Sequence, residues 1–428
     1  MDGIRRILTQ PPAQYAVAAG YLLATGAYVY FTPHSLLGFL FFMGSILVVN
    51  ATRIDPRAKI GLAILALGLG MPMIGSVNRY YLDVATQVGI YAALALGLNV
   101  VVGFSGLLDL GYVAFYASGA YLYAVFASPQ AAKFLNVAPG TFPLSGDWFW
   151  FFLAAAVALA ALMGILLGLP VLRLRGDYLA IVTLGFGEII RILLNNLDKP
   201  VNFTNGPNGI TPVQPPAIFG YKLDQPLHFY FIVIIILALV LIIVRRLENS
   251  RIGRAWAAIR EDETAALAMG IPLVKAKLLA FAVGASFAGA MGVVFASKQT
   301  FVDPSSFSFM ESIGVLAMVI LGGMGSIPGV VVGATAVVVL QLQVLKSLSE
   351  YLGQLRTAGV LNIPTQFEPA KYERFVFGLI LILMMIFRSE GIVPARRPRV
   401  NLGVPDEKDP SPAIRAGDPG KEAPPWPY

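Results

Sequence analysis

The chain has no cysteine and only two histidines in 428 residues, and charged residues make up 13% of it. Without cysteine there is no disulfide framework and no thiolate chemistry, an absence that suits any compartment and selects none. The charge content is about half the roughly 25% of ordinary soluble domains, which excludes a standard globular enzyme. No Gly-x-x-x-x-Gly-Lys-Ser/Thr segment occurs anywhere. Gly322-Gly323-Met324-Gly325-Ser326 is rich in glycine but lacks the lysine, so the chain has no phosphate-cradling loop of its own. A Gly-x-Ser-Gly setting surrounds Ser105, but an intramembrane serine nucleophile needs a histidine at similar depth. Both candidates, His34 and His228, sit near the ends of apolar runs.

What is present is apolar sequence, at 57% of residues. A bilayer core about 30 Å thick is crossed by about 20 apolar residues in a helix, since every backbone polar group must be paired internally. Apolar runs lie at about 16–31, 36–50, 60–77, 81–103, 106–127, 148–171, 177–196, 228–246, 273–297, 309–323, 327–345 and 374–388. The expected fold is all-α, a polytopic transmembrane helical bundle of about 10–12 membrane segments. The first run follows Arg5 and Arg6 without a small-residue cleavage site and reads as an uncleaved helix. Placing the N-terminus inside puts most of the 31 basic residues on the inner side, at 53–59, 173–175, 245–277 and beyond Arg388. Positive charge concentrates on the cytoplasmic side of membrane proteins, so both termini are expected there. The segments 128–147 and 197–227 fall outside and are too rich in Pro, Gly and Asn for a further span. The tail 396–428 is proline-rich and expected to be disordered, with no apolar surface to offset the entropy of ordering.

One polar stretch stands apart. Residues 249–271, NSRIGRAWAAIREDETAALAMGI, carry both charge signs with helical spacing. Ile252, Ala255, Trp256 and Ile259 form an apolar stripe, leaving Arg251, Arg254 and Arg260 toward solvent, lipid headgroups or a partner. Glu261, Asp262 and Glu263 favour a second helix start, Ala265 to Met269 propagate it, and Gly270 stops it. Two readings fit: an amphipathic element lying on anionic lipid, or a docking helix for a cytoplasmic protein.

Within the apolar part, Gly103-Phe104-Ser105-Gly106 interrupts a run and Asp109 follows. This is either a tight turn between two full helices or a broken helix beside a cavity, where freed backbone is tolerated and can bind polar groups. Glu188 and Arg191 are three residues apart on one helix face. They form either a self-neutralising structural pair or a polar lining that meets the charged ends of a zwitterion. Thr183, Gly185 and Gly187 on the same run allow close approach of substrate or of another helix. Gly284, Gly289 and Gly292 read as helix packing through small residues.

Several motifs carry a family resemblance. Glu263-Thr264-Ala265-Ala266 with Gly270 resembles the Glu-Ala-Ala loop of ABC-transporter permeases, with Thr264 inserted between the acid and the alanines. The stretches 97–121, 173–196, 205–210, 301–312 and 319–329 together resemble the permease subunit of branched-chain amino acid ABC importers, the LivM type. The likeness spans about residues 85–395 and is weaker before 80 and in the tail. It implies an ABC importer permease fold, with N-terminal helices in 1–80 and a core permease domain in 81–395 whose cytoplasmic coupling loop is 245–275. The implied setting is the bacterial inner membrane and the implied partners are a second homologous permease, two cytoplasmic ATPases and a periplasmic substrate-binding protein. ATP and magnesium would be bound by the ATPases, not by this chain, and no nucleic acid is expected. Arg254, Glu261, Glu263, Ala265, Ala266 and Gly270 become the expected ATPase-coupling residues, and Ser105, Asp109, Thr183, Glu188 and Arg191 the translocation-path candidates. The rival readings are an importer of urea or another small polar solute with the same architecture, and an ion-coupled secondary transporter using Glu188.

Overall fold

The computed structural model of the protein describes residues 11–32, 35–52, 54–135, 142–171, 177–357 and 369–395. The tail, Arg5, Arg6, Arg53, His34, Arg173 and Arg175 lie outside these residues.

Each apolar run folds as a helix. The first is α1, Pro11–Phe31, and the second α2, Leu36–Ala51. In α3, Pro56–Leu65 and Met71–Val77 are joined through a π turn at Ala66–Gly70. In α4, Arg79–Asn99 ends in a second π turn, Val100–Phe104. Next come α5, Val113–Phe126, α6, Phe149–Val171, and α7, Asp177–Asn196. The long α8, Pro226–Glu248, precedes two short helices of the polar stretch, α9, Arg251–Glu261, and α10, Glu263–Ala268. The chain re-enters the bundle as α11, Leu273–Gln299, then α12, Phe309–Gly322. A third π turn, Leu340–Val344, lies inside α13, Ile327–Thr357, and α14, Glu373–Phe387, follows.

Among the described residues, seven helices are long and apolar enough to cross a membrane, while α5, α12 and the apolar part of α14 are shorter. The protein is a multi-pass helical membrane protein. Its centre is set by burial: the most apolar windows of α4 and α11 are 83% and 72% buried, against 22% for α3 and α7. The outer helices thus show much of their apolar surface to lipid or to another protein, as a chain solvated by hydrocarbon can.

Small residues let the central helices meet. A methyl group on Gly289 would come within 2.6 Å of the Ala156 carbonyl oxygen in α6, and one on Gly284 within 2.9 Å of the Gly97 carbonyl in α4. Gly292 is pressed against the α5 backbone at Tyr116 and Ala120. The packing role read for these three glycines is what the structure has.

The run at 106–127 is shorter as a helix than its hydropathy indicates. The helix begins only at Val113, and residues 106–111 are irregular, with Leu107, Asp109 and Gly111 buried. Gly106 takes a φ of +71°, and Asp109 Oδ1 accepts from the Gly111 N–H at 2.9 Å. The side chain thereby supplies a local alternative to a helical hydrogen bond.

Away from the polar stretch, the predicted non-spanning segment 197–227 contains local structure. Residues 217–222 form a two-stranded hairpin, Ala217 opposite Lys222 and Ile218 opposite Tyr221. The NGPNGI turn is joined to the 301–312 motif by a pair of backbone bonds, Ile210 N–H to the Val302 carbonyl at 2.8 Å and the reverse at 3.0 Å. Asn205, in the left-handed region at φ 62°, donates to the Gly209 carbonyl at 2.8 Å and fixes the turn.

Candidate functional site

The polar stretch is a two-helix unit, α9 and α10, with a side-chain cap at each helix start. Ser250 caps α9 by accepting from the Gly253 N–H, and Asp262 caps α10 by accepting from Thr264 N–H at 2.7 Å and Ala265 N–H at 2.9 Å. These bonds satisfy orphan donors at both helix starts, and α10 begins only two residues after α9 ends. At the far end, Ile271 N–H reaches the Ala266 carbonyl and Gly270 N–H the Leu267 carbonyl, with Gly270 at φ +81°. That is a Schellman stop, whose left-handed backbone favours glycine and disfavours a β-branched residue.

Trp256 is fully buried and donates its indole N–H to the Ala276 carbonyl at 2.7 Å, fastening α9 to the start of α11. Lys277 Nζ, with a side chain 4% exposed, lies 2.6 Å from Glu263 Oε1. Glu263 therefore fixes α10 to α11. The outward surface is different: Thr264, Ala265, Leu267, Ala268, Met269 and Gly270 are exposed while Ala266 is buried. Leu267 is 59% and Met269 83% exposed, an apolar knob on an otherwise polar element. Arg254 and Glu261 are exposed on α9.

Arg260 corrects the expectation that all three arginines face outward. The buried side of α9 is Gly253, Trp256 and Ile259, while Ile252 is 36% exposed. Arg260 follows Trp256 by four residues and so shares its face. It is half-buried and donates from its guanidinium to the Gly103 carbonyl at the end of α4. Arg251 and Arg254 are exposed as expected.

The translocation-path candidates form a second region. Ser105 Oγ donates back to the Val101 carbonyl at 2.7 Å, and Thr183 Oγ accepts from the Leu110 N–H at 3.0 Å. Asp109 is fully buried, and its Oδ2 has no hydrogen-bond partner among the described residues. Gly111 and Gly187 are in contact, so the irregular segment lies directly on α7. The segment is not a tight turn between two full helices. It is an irregular, partly buried approach to α5, longer than a tight turn. Beside it is a small cavity lined by Leu110, Val113, Gly187, Glu188, Ser308 and Ser312.

Glu188 and Arg191 pair as their spacing predicts, with Arg191 Nε 2.9 Å and a terminal nitrogen 2.8 Å from Glu188 Oε2. The pair is not enclosed by this chain: the two side chains are 31% and 36% exposed. Thr183 and Glu188 therefore belong to one region of α7, whereas Ser105 lies toward the Arg260 contact. Gly185 has open space where a side chain would stand. Residues missed at the sequence level are Lys277, Leu267, Met269 and Asn99. Lys277 carried a legible signal, a lysine one turn into an apolar helix that needs an anion.

The chain from residue 80 to 385 matches the model of a family described as branched-chain amino acid transport system / permease component. The chain belongs to that family. It is 40% identical over 363 residues, 79% of this chain and 76% of the relative, to the high-affinity branched-chain amino acid transport system permease protein LivM of Escherichia coli (strain K12). A probable LivM of Methanocaldococcus jannaschii is 27% identical over 339 residues, covering 72% of this chain and 91% of the relative. The permease protein LivH of Escherichia coli (strain K12) is 25% identical over 316 residues, with 71% and 91% covered. No solved structure matches. The family match begins at α4, so α1 to α3 precede the part shared with the family model.

Proposed function

We propose that this permease-family chain is the membrane-embedded, non-catalytic subunit of an ATP-driven importer of branched-chain amino acids. It would work with a second homologous permease, two ATPases that bind ATP and magnesium, and a substrate-binding protein. The bacterial inner membrane is the proposed site, with both termini and the α9–α10 unit in the cytoplasm, as the basic-residue distribution favours. Similarity to both LivM and LivH relatives supports a homologous second permease.

The observation that carries the reading is the exposed surface of α10 on a unit otherwise tied firmly to the bundle. Leu267 and Met269 present apolar area on a base fastened to α11, the arrangement by which a docking helix transmits a push without absorbing it. Arg254 and Glu261 flank that surface, and Gly270 gives it a close approach. Glu263 would act indirectly, by holding α10 through Lys277.

For the substrate route, we propose the exposed side of α7, facing the second permease. A charged pair one-third exposed on an apolar helix is costly against hydrocarbon, so its exposed side requires protein or a wet passage. Glu188 and Arg191 would meet the ammonium and carboxylate of an amino acid, with Thr183 and Asp109 shaping the adjoining wall and Ser105 holding the end of α4. An ion-coupled carrier built on Glu188 would have to break this pair on each cycle. An importer of urea or another polar solute would share the architecture and differ in the binding protein.

The test is affinity purification of the tagged chain from native membranes, followed by reconstitution with the binding protein. Recovery with two ATPases and a second permease, and ATP hydrolysis stimulated by leucine-loaded binding protein, is the expected result. A chain recovered alone that takes up leucine under an ion gradient would overturn the proposal.

A further inference from the structure

Three sequence motifs separated by long stretches of chain converge on one side chain. The Arg260 guanidinium donates to the carbonyl of Gly103, in the π turn where α4 ends. Its stem lies over Gly106, where an added methyl group would come 3.1 Å from Arg260 Cγ and 3.4 Å from Cα. A methyl group on Gly325, in the turn between α12 and α13, would stand 2.9 Å from a terminal guanidinium nitrogen. The same turn is bound to α4 from the other side, because Gly325 N–H donates to Asn99 Oδ1 at 2.8 Å. Asn99 is fully buried and its Nδ2 has no hydrogen-bond partner among the described residues.

All three positions against Arg260 are glycines. Gly106 and Gly325 have φ of +71° and +84°, and a methyl group on Gly103 would be 2.6 Å from the Gly325 nitrogen. The absence of side chains leaves a slot for the planar guanidinium beside the Gly103 carbonyl, freed by the end of the helix. A lysine offers one rotatable ammonium in place of the planar guanidinium.

We infer that Arg260 is the positioning residue that links movement of the α9–α10 unit to the α4 break and the α12–α13 turn. Resting on the proposed function, this assigns the transmission step to a residue that faces inward and does not contact the ATPase. Trp256 and the Glu263–Lys277 pair tie the unit to α11. Arg260 reaches α4 instead, at the Gly103 carbonyl. The α4 break leads directly into the irregular segment that rests on α7, so a displaced Gly103 carbonyl is carried toward the region of Thr183 and Glu188. Coupling of this kind requires a contact that changes between states, and a carbonyl–guanidinium bond at a helix end is one that can break without unfolding either helix.

The experiment uses the assembled importer, purified through a tag on its ATPase so that only complexes are counted, in proteoliposomes with radiolabelled leucine and its binding protein. Arg260→Met and Arg260→Lys are compared with the parent for leucine moved per ATP hydrolysed. Arg260→Met is expected to keep hydrolysis within about twofold and to lower the leucine-to-ATP ratio about tenfold, with Arg260→Lys recovering part of the loss. An unchanged ratio in Arg260→Met overturns the inference, as does a parallel fall in hydrolysis and uptake that leaves the ratio intact, since that marks a merely structural staple. Failure of the parent complex to couple leucine uptake to ATP would instead strike the proposed function, and the two failures are read in separate samples.

Discussion

Exchanging Glu263 for glutamine removes the partner of a lysine that is almost wholly buried. The Glu263–Lys277 separation of 2.6 Å, with side-chain exposures of 24% and 4%, sets the scale. At an effective dielectric of about 20 the gross attraction is roughly 6 kcal/mol, most of it offset by desolvation of the ammonium. Breaking fully buried pairs costs about 3–5 kcal/mol, and water at the exposed quarter of Glu263 reduces this to about 2 kcal/mol. Opening of α10 should then be about 30-fold more frequent, read as faster hydrogen exchange at the amides of 264–271. Lys277→Met alone leaves a carboxylate that can turn to water, and should speed exchange by less than about fivefold. The double variant Glu263→Gln/Lys277→Met should return to within about threefold of the parent, because no unpaired buried charge remains. Additive effects in the double variant would refute the claim that the pair holds α10. The same cycle separates two roles for Glu263. If it acts by holding α10, leucine uptake recovers together with exchange in the double variant, and a direct contact with the ATPase would leave uptake low after exchange is restored.

Other expectations follow from the same geometry. Gly270→Asn should couple normally, because asparagine accepts the left-handed backbone. Gly270→Val should lose uptake with insertion intact, since the strain of about 1–2 kcal/mol falls on the stop of α10 and not on any neighbour; equal uptake by both variants would sink this assignment. Leu267→Ser and Met269→Ser should each weaken binding of the ATPase to immobilised permease by about 10-fold or more, as burying such a side chain contributes about 1.5–3 kcal/mol, and unchanged affinity would remove α10 as the docking surface. Glu188→Gln should lower membrane insertion, because one unpaired charge costs about 2.5–3.5 kcal/mol at helix centre. The exchanged pair Glu188→Arg/Arg191→Glu should restore insertion but not uptake, whereas recovery of both would make the pair structural.

Much of the architecture was legible because bilayer solvation writes it into runs of apolar residues, and each run became a helix. The failures are local and have causes. At 106–112 hydropathy continued but the helix did not, because Gly106 turns the backbone and Asp109 captures the Gly111 amide. In α9 the apolar stripe was rotated by one position: Gly253, with no side chain to score, is on the buried face, and Ile252 is not. Arg260 went the wrong way for the same reason, since a periodicity count assigns arginine to solvent by type. The intramembrane pair at 188 and 191 was legible from i, i+3 spacing, but its exposure was not, because whether a helix is central or peripheral depends on contacts distant in sequence.

The motif stretches make sense as two convergences and not as five separate signals. Near the polar loop, the end of α4, the α12–α13 turn and α9 meet at Asn99, Gly103, Gly325 and Arg260. Away from it, the 205–210 turn is joined to the stretch opening with Val302. Between them, the Leu110 N–H bond to Thr183 and the Val113 N–H bond to Ser312 at 3.2 Å connect the broken segment to α7 and α12. These separate polar bonds pin helix ends and glycine turns to one another within the core of the protein. Exposed apolar faces, as on α3 and α7, carry few such bonds, which is why specificity of sequence in this chain is concentrated where glycine, a single polar side chain and a helix end coincide.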